Sequence, residues 1–476
     1  MIIGDTMKKT KIVGTIGPSS KDKIVLEEMI LNGMDVVRLN MRYASLEFCK
    51  DIIYKIRDID RNLKTNTSIL MELEGPIITT DNFVDGKAFL KEKDLVRIYM
   101  DKVVGDNTKF SVSYKELIDE VKTNTIIKIN NGSVELKVLE KENTTIICEV
   151  IKEGIVLNES KVNVIDTKID MPFIAKKDKK IIEFICEENI DYVGLSMVSS
   201  SEDILSVNDL LIEYNNDHTS IISKIEKSEA FDEIDEIIRV SDGIMIDRES
   251  LGIEIPPERI PSISKTIISK CYLQSKISLI VTEMESDDED IKPTKAEISD
   301  IATVINDGVD SVILTGETTI GKYPVGTISM MKKILESSEL NVNYNEFLDK
   351  AMRTEKQDIT GTIAYSVADS SSRLKSIAIV IPTMNGYTAK KISRYRPDCP
   401  IIALTPNPLT AKSLGLNYGI CPILIDDVKS FDMILKISRN IVQKKFNYQL
   451  GDTFIITGGY PFKEVKHTNF MKIEEL

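Results

Sequence analysis

The sequence predicts an α/β protein: a (β/α)8 TIM barrel that carries an inserted small β-barrel domain and is followed by a C-terminal open α/β domain. Short β-branched runs alternate with helix-length amphipathic stretches from Lys11 onward. The alternation gives way to short strands and turns between about residues 80 and 172, and it resumes after Pro172. Counting the units on both sides of the break gives eight β/α units, the number that closes a barrel.

The first three β/α units precede the break. The runs "KIVGTIG", "MDVVRLN" and "SILMELEG" are typical of strands, and residues 21–32 and 46–59 have the spacing of amphipathic helices. The runs "YVGLSMV", "SIISKIE", "GIMIDR", "ISLIVTEM" and "SVILTGE" supply five more strands after it. We therefore assign residues 1–79 and 173–340 to one discontinuous barrel domain.

The break itself is rich in short strands, such as "DLVRIYM", "NTKFSVS" and "NTTIICEVI", and "INNGS" is a tight-turn signal. It predicts an inserted β domain over residues 80–172. A third section, residues 341–476, contains "SIAIVIPT", "PIIALTP", "CPILID" and "GDTFIITGG" between helical stretches, which indicates a separate open α/β domain. The acidic stretch "MESDDEDIKPTKAE" is expected to be a solvated loop.

Composition excludes several classes of function. The chain has 476 residues and a net charge of −14, which disfavours binding to nucleic acid or to anionic membranes. No apolar run approaches the roughly 18 residues of a membrane helix, and the first residues do not resemble a secretory signal. Six dispersed cysteines and two isolated histidines argue against disulfides, a zinc site or histidine catalysis. We expect a cytoplasmic protein.

Barrel proteins carry their functional residues at the carboxyl ends of the strands. In this chain those ends present mostly charged and hydroxyl side chains. They are Arg38, Asn40, Glu72, Ser196, Lys224, Glu226, Arg248 to Ser250, Thr282, and Thr315 to Glu317.

These strand ends and their surroundings resemble the pyruvate kinase family. The shared motifs are "TKIVGTIGPSS", "MDVVRLN", "ISKIE", "SDGIM", "LGIEIP", "KPTKAEISD", "LTGETTIGKYP" and "ISRYRPDCPIIALTPNP", in the family's order and spacing from about Lys8 to Leu476. The resemblance implies phosphoryl transfer from phosphoenolpyruvate to ADP with Mg²⁺ or Mn²⁺ and usually potassium. It also implies symmetric tetramers.

The resemblance further implies roles for particular residues. Lys224 would contact the moving phosphoryl group, Arg38 would assist, and Thr282 would lie near the enolate carbon. Glu226 would hold the metal, and the substrate-binding positions would be Ser196, Arg248 and Gly252. Such catalysis consists mainly of positioning and of positive charge placed where negative charge collects.

Several positions depart from the family pattern. The second metal ligand, an aspartate, is Ser250, and the glycine before it is Glu249. At the potassium site Asn40 is kept, whereas the other positions are Arg42, Glu72 and Leu73; leucine cannot ligate a cation, although Arg42 could supply a fixed positive charge. Other changed positions around the anionic substrates are Tyr43, Glu74, Thr79, Asn130, Asn131 and Ser199.

Other interpretations stay open for some of these residues. Lys224 and Glu226 share a strand face and could be an ion pair kept for the fold, and Arg38 could pair with Glu72 or Glu226. Asp247 could replace the lost metal ligand, but its offset of three residues from position 250 points to the opposite strand face.

The loop "TMNG", with Thr383, Asn385 and Gly386, matches the place where some family members bind an effector's phosphate. A plain turn is the alternative for this loop.

Two functions are consistent with this pattern. The first is a catalytically impaired relative, a pseudoenzyme or regulatory subunit that assembles with itself or with an intact pyruvate kinase. The second is an active pyruvate kinase with a repositioned metal site and no potassium requirement. Scaffold turns such as Gly17–Pro18 and Gly75–Pro76 are kept while chemical positions have changed, which favours the first hypothesis at this point.

Overall fold

The computed structural model describes residues 7–284, 292–354, 358–428, 430–460 and 467–476. Half of the predicted solvated loop "MESDDEDIKPTKAE", residues 285–291, lies outside the described residues, and its last three residues begin the helix Lys295–Asn306.

The strands of the described residues run in chain order as follows. They are β1 Lys11–Thr15, β2 Val36–Asn40, β3 Ser68–Glu72, β4 Ile78–Thr79, β5 Lys87–Leu90, β6 Leu95–Tyr99, β7 Lys109–Ser111, β8 Ile126–Ile129, β9 Val134–Glu142, β10 Thr145–Lys152, β11 Gly154–Leu157, β12 Lys161–Val164, β13 Tyr192–Leu195, β14 Ser220–Ile225, β15 Gly243–Ile246, β16 Ile277–Val281, β17 Ser311–Leu314, β18 Ala378–Pro382, β19 Ile401–Thr405, β20 Ile420–Leu424, β21 Thr453–Gly458 and β22 Phe470–Glu475.

The helices lie between them, together with a short 3₁₀ turn at Pro257–Arg259. They are α1 Lys23–Leu31, α2 Leu46–Leu63, α3 Leu117–Glu120, α4 Lys176–Glu187, α5 Ser201–Glu213, α6 Ser228–Asp232, α7 Ile234–Val240, α8 Arg248–Glu254, α9 Ile260–Leu273, α10 Lys295–Asn306, α11 Gly316–Thr319, α12 Pro324–Glu339, α13 Tyr344–Thr354, α14 Ile359–Leu374, α15 Tyr387–Ser393, α16 Pro408–Lys412 and α17 Phe431–Lys445.

Eight parallel strands close into a barrel in the order β1-β17-β16-β15-β14-β13-β3-β2. Neighbouring strands pair in parallel throughout, and helices connect them on the outside. The predicted (β/α)8 barrel is therefore confirmed.

Alternation along each strand separates the barrel interior from the helix-facing layer. In β2, Val36 packs inside the barrel, whereas Val37 and Leu39 pack toward the helices. In β14, Ile222 packs inside in the same way. The residues two positions after the interior side chains Val36, Leu70 and Ile222 therefore point into the barrel at its carboxyl end. They are the charged residues Arg38, Glu72 and Lys224.

The inserted segment between β3 and β13 forms a curled sheet of seven strands in the order β4-β12-β8-β9-β10-β6-β7, with β5 and β11 paired beside it. Its own apolar core includes Val96, Phe110, Leu136 and Cys148. Strand β12, which leads back toward the barrel, carries Lys161 at its start. This position brings a basic side chain of the inserted domain to the barrel.

The C-terminal section is a five-stranded sheet in the order β20-β19-β18-β21-β22, with β22 antiparallel at the edge. Separate apolar cores cover its two faces. It packs against the amino-terminal end of the barrel, where Leu416 joins the interior apolar cluster. There, Arg396 also forms a buried ion pair with Asp310, 2.8 Å between Nη1 and Oδ1. This section therefore closes the barrel end opposite the strand carboxyl ends.

A search of the described helices finds none with the length and apolar character needed to cross a membrane.

Candidate functional site

Six charged side chains meet at the carboxyl ends of the barrel strands, and we call them the mouth cluster. Their side chains are between 2% and 13% exposed, so each charge is stabilised mainly by its neighbours rather than by water. The six are Arg38, Glu72, Lys161, Lys224, Glu226 and Asp247.

Lys224 is the centre of the mouth cluster. Its Nζ lies 3.1 Å from Oε1 of Glu226 and 3.3 Å from Oε1 of Glu72. A third carboxylate, Asp247, approaches the same nitrogen to 3.0 Å. Burial alone favours the neutral amine, but the three carboxylates outweigh it and raise the pKa of Lys224 above its ordinary value. Lys224 is therefore a fixed positive charge at neutral pH.

Arg38 and Glu72 form a second buried ion pair, with 2.7 Å between Nε and Oε2. Ser196 also donates its hydroxyl to Oε1 of Glu72 at 3.1 Å. Burial opposes ionisation of Glu72, but the charges of Arg38 and Lys224 outweigh it and lower the pKa of Glu72 to about 2. Of the two partners considered for Arg38, the structure places it on Glu72.

Asp247 belongs to the mouth cluster, so the expectation that it faces away is wrong. Strand β15 ends at Ile246, and Asp247 is already the N-cap of α8, where strand alternation no longer applies. Its Oδ1 accepts the backbone N–H of Ser250 at 3.1 Å, while Oδ2 faces Lys224. Burial raises the pKa of Asp247, but Lys224 and the cap hydrogen bond lower it by more.

Glu226 is shared between the barrel and the inserted domain. Its Oε2 lies 3.3 Å from Nζ of Lys161, and its Oε1 faces Lys224 without accepting a hydrogen bond. Both carboxylate oxygens thus lie beside ammonium groups that come from different domains.

The remaining predicted catalytic and substrate positions surround the cluster. Thr282 is buried just beyond β16 and donates its hydroxyl to the carbonyl of Ile313 at 3.2 Å. Arg248 forms a bidentate pair with Asp300, both contacts at 2.5 Å. Gly252 borders open space, since a Cβ there would meet no atom within 4 Å. The structure therefore brings Ser196 into contact with the cluster, whereas Arg248 is held by a helix outside it.

At the predicted potassium position, the positive charge beside Glu72 comes from Arg38 and Lys224 rather than from Arg42. The guanidinium of Arg42 lies over the exposed ring of Tyr43, and its backbone N–H is accepted by Oδ1 of Asn40 at 3.0 Å. Leu73 is packed in the apolar layer between barrel and helices. The charge of Glu72 is instead balanced by the mouth-cluster cations described above.

Glu74 and Glu249, two acidic side chains at positions that depart from the family pattern, both have partners. Glu249 accepts a hydrogen bond from Nδ2 of Asn131, on the inserted domain, at 3.0 Å. Glu74 pairs with Lys177 at 2.5 Å. The negative charge of Glu249 is thus directed to the inserted domain.

The predicted effector loop lies in the C-terminal section, between β18 and α15. Thr383 accepts the N–H of Gly386 at 2.9 Å, and Asn385 accepts the N–H of Tyr387 at 3.2 Å. Gly386 has a φ of +77°, a conformation that favours glycine. This geometry is that of a tight turn, and an effector role for the loop stays a prediction.

Sequence reasoning missed the contact of Lys161 and set Asp247 aside. An N-cap signal was present for Asp247, because aspartate is a preferred residue immediately before a helix. Lys161 gave no local signal, since its partner Glu226 lies 65 residues away.

The fold is a closed (β/α)8 barrel with a buried lysine and carboxylates at its mouth and an inserted β domain beside them. It therefore belongs to the class of barrel proteins, which carry their functional residues at the strand carboxyl ends. Comparison with known proteins identifies the family. The family model described as "Pyruvate kinase, barrel domain" matches residues 7–328, and "Pyruvate kinase, alpha/beta domain" matches residues 361–474. The chain belongs to the pyruvate kinase family.

Its relatives carry the same name. The pyruvate kinase of Clostridium perfringens is 38% identical over 474 residues, which cover 99% of this chain and all of the relative. That of Clostridium acetobutylicum is 35% identical over 98% of this chain and 99% of the relative. That of Staphylococcus saprophyticus is 37% identical over 98% of this chain and 80% of its own length. The resemblance seen in the sequence is therefore confirmed.

Proposed function

We propose that the chain is an active phosphotransferase that moves the phosphoryl group of phosphoenolpyruvate to ADP, with a rearranged metal site and no potassium requirement. The observation that carries the proposal is the buried, charged Lys224 at the barrel mouth. The family and the names of the relatives support this hypothesis better than catalytic impairment. The acidic side chains of Glu74 and Glu249 also support it, because Lys177 and Asn131 bind them.

In this reaction a terminal phosphate oxygen of ADP attacks the phosphorus of phosphoenolpyruvate, and the bond from phosphorus to the enol oxygen breaks. The released enolate takes up one proton at its methylene carbon and becomes pyruvate, while ADP becomes ATP. Negative charge is spread over the oxygens of the moving group, so a fixed ammonium lowers the barrier. Lys224 supplies that charge, Arg38 supports it through Glu72, and Thr282 faces the enolate carbon.

A divalent metal is implied by the family, and Glu226 fits it because its buried Oε1 accepts no hydrogen bond. When bound, Mg²⁺ or Mn²⁺ would neutralise charge on the phosphate oxygens. Glu226 also helps to fix the position of the Lys224 ammonium. A potassium ion is dispensable in this proposal, since Glu72 is already neutralised and Leu73 offers no ligand atom.

Pyruvate formation from phosphoenolpyruvate and ADP with magnesium tests the proposal. Lys224→Met should lower kcat by a factor of about 10² to 10³ or more, and Lys436→Met, an exposed change of the same type on α17, should leave it unchanged. Background rates in the folded wild-type protein would instead support the hypothesis of a catalytically impaired relative. In that case, the double variant Glu249→Gly with Ser250→Asp tests whether activity can be restored.

We further propose that the protein is cytoplasmic and forms a homo-oligomer of the tetramer type. Light scattering during size-exclusion chromatography gives its mass directly. A stable monomer would contradict the assembly, and a complex with an intact pyruvate kinase, if one is mixed in, would return attention to a regulatory subunit.

A further inference from the structure

Glu226 and Asp247 present carboxylate oxygens to one point in the barrel mouth. Each has an oxygen within 3.1 Å of the Lys224 nitrogen, and the side chains are only 5% and 13% exposed. They follow β14 and β15, which are neighbouring strands of the barrel. Two buried carboxylates therefore converge although they come from separate parts of the chain.

One oxygen of Glu226 has an ion-pair contact with Lys224 but no hydrogen bond. The residue is 95% buried, yet its Oε1 accepts no hydrogen bond. A buried acceptor without a hydrogen bond is costly, and buried polar atoms without partners often mark a missing ion or water. An oxygen-seeking cation beside Lys224 would complete the contacts of this atom.

Asp247 supplies a second carboxylate close to position 250. Because its Oδ1 accepts the N–H of Ser250, the carboxylate lies over the first turn of α8, the same turn that carries position 250. Asp247 thus places a negative charge within one helical turn of the position where this chain has only a hydroxyl.

We propose that Glu226 and Asp247 together form the divalent-cation site of this chain, with Asp247 supplying the carboxylate that position 250 lacks. The choice of Mg²⁺ or Mn²⁺ rests on the proposed function. Mg²⁺ is commonly held by one or two carboxylates and completes its shell with waters and substrate phosphates. Within the described ranges, no group of three or more histidine, cysteine, aspartate or glutamate side chains is arranged for a metal, so an open site of two carboxylates fits better than a closed cage.

Binding of Mn²⁺ alone, followed by the electron paramagnetic resonance signal of the free ion, tests this site without any turnover. Asp247→Asn removes the charge but keeps a side chain that caps helices well, so α8 stays capped. Its Kd for Mn²⁺ should rise by at least about 10-fold, an effect that even the outer partners of metal ligands produce. Glu226→Gln should act in the same direction.

Two further variants separate a ligand from general electrostatics. Glu249→Gln removes an exposed carboxylate two residues from Asp247 and should change the Kd far less. Combining Asp247→Asn with Ser250→Asp returns a carboxylate to the same helical turn and should restore most of the affinity. Circular dichroism verifies that each variant is folded.

The inference is overturned if Asp247→Asn binds Mn²⁺ as tightly as the wild type, or if the folded wild type does not bind Mn²⁺. If the wild type shows turnover and Asp247→Asn keeps the wild-type affinity for Mn²⁺, the results would refute this site and leave the proposed function standing. If the wild type binds Mn²⁺ but shows no turnover, and Asp247→Asn loses Mn²⁺ binding, the results would support the site and refute the function.

Discussion

The Nζ of Lys224 lies 3.0 Å from Oδ2 of Asp247, across the boundary between two neighbouring barrel strands. Lys224 is in register with Met245, so Asp247 comes two residues further toward the barrel mouth. The contact is possible because Asp247 has left the strand and caps the next helix. One lysine consequently balances carboxylates from three strand ends.

Lys224→Met should destabilise the fold as well as slow the proposed reaction. It leaves buried carboxylates without their shared counterion, a loss of about 3–5 kcal/mol. For a domain of this size, the calorimetric transition of the barrel should fall by about 10 °C at pH 7. Lys224→Arg keeps the charge and should recover part of that loss; an unchanged transition in Lys224→Met would show that the carboxylates are compensated elsewhere.

Glu72→Gln should destabilise the protein in a pH-dependent way. The pKa of Glu72 is lowered from 4.5 to about 2 in the folded state, so its charge stabilises the fold above pH 4.5. This stabilisation is lost as the pH falls from 4.5 toward 2. Urea unfolding at several pH values should show that the difference between wild type and variant is largest near neutrality and shrinks toward pH 2. A constant difference would contradict the lowered pKa.

Lys161→Met should strengthen binding of Mn²⁺. The ammonium of Lys161 lies 3.3 Å from Glu226 and repels a cation bound by the same carboxylate. Lys128→Met is the matched control, because Lys128 also reaches the barrel from the inserted domain but contacts the carbonyl of Ile253 at 2.6 Å. Titrations of both variants with Mn²⁺, followed by electron paramagnetic resonance, measure the two Kd values. Equal Kd values would mean that Lys161 does not compete with the cation for Glu226.

Asn131→Asp should weaken the closed position of the inserted domain. It places a second carboxylate opposite Glu249, where a hydrogen bond of 3.0 Å now holds the two parts together. Small-angle X-ray scattering should show a larger radius of gyration, and adding Glu249→Gln should reverse the change. If the single variant scatters like the wild type, the contact does not hold the domain.

Activity should not depend on potassium. The charge of Glu72 is balanced by Arg38 and Lys224, and Leu73 has no oxygen in its side chain with which to ligate the ion. Assays in potassium chloride and in tetramethylammonium chloride at equal ionic strength should therefore give the same kcat. A clear requirement for potassium would place the ion at another site.

The sequence was sufficient to predict the barrel, the two further domains and the strand-end positions of Lys224 and Glu226, because alternation and spacing are local properties. It failed where geometry changed within one residue, as at Asp247, which follows Ile246 out of the strand and into a helix cap. It also could not reveal contacts between distant segments. The bond between Asn131 and Glu249 joins residues 118 positions apart, and neither position alone indicates it.

The mouth cluster contains three cations and three carboxylates, and one of the cations, Lys161, belongs to the inserted domain. The six formal charges cancel when Lys161 is in contact with the others. Without Lys161, the remaining two cations and three carboxylates leave one net negative charge. In the proposed reaction, a mouth without Lys161 would therefore attract a metal cation and repel phosphoenolpyruvate and ADP until the cation has bound. We therefore expect an order of binding in which the metal enters first and the anionic substrates follow.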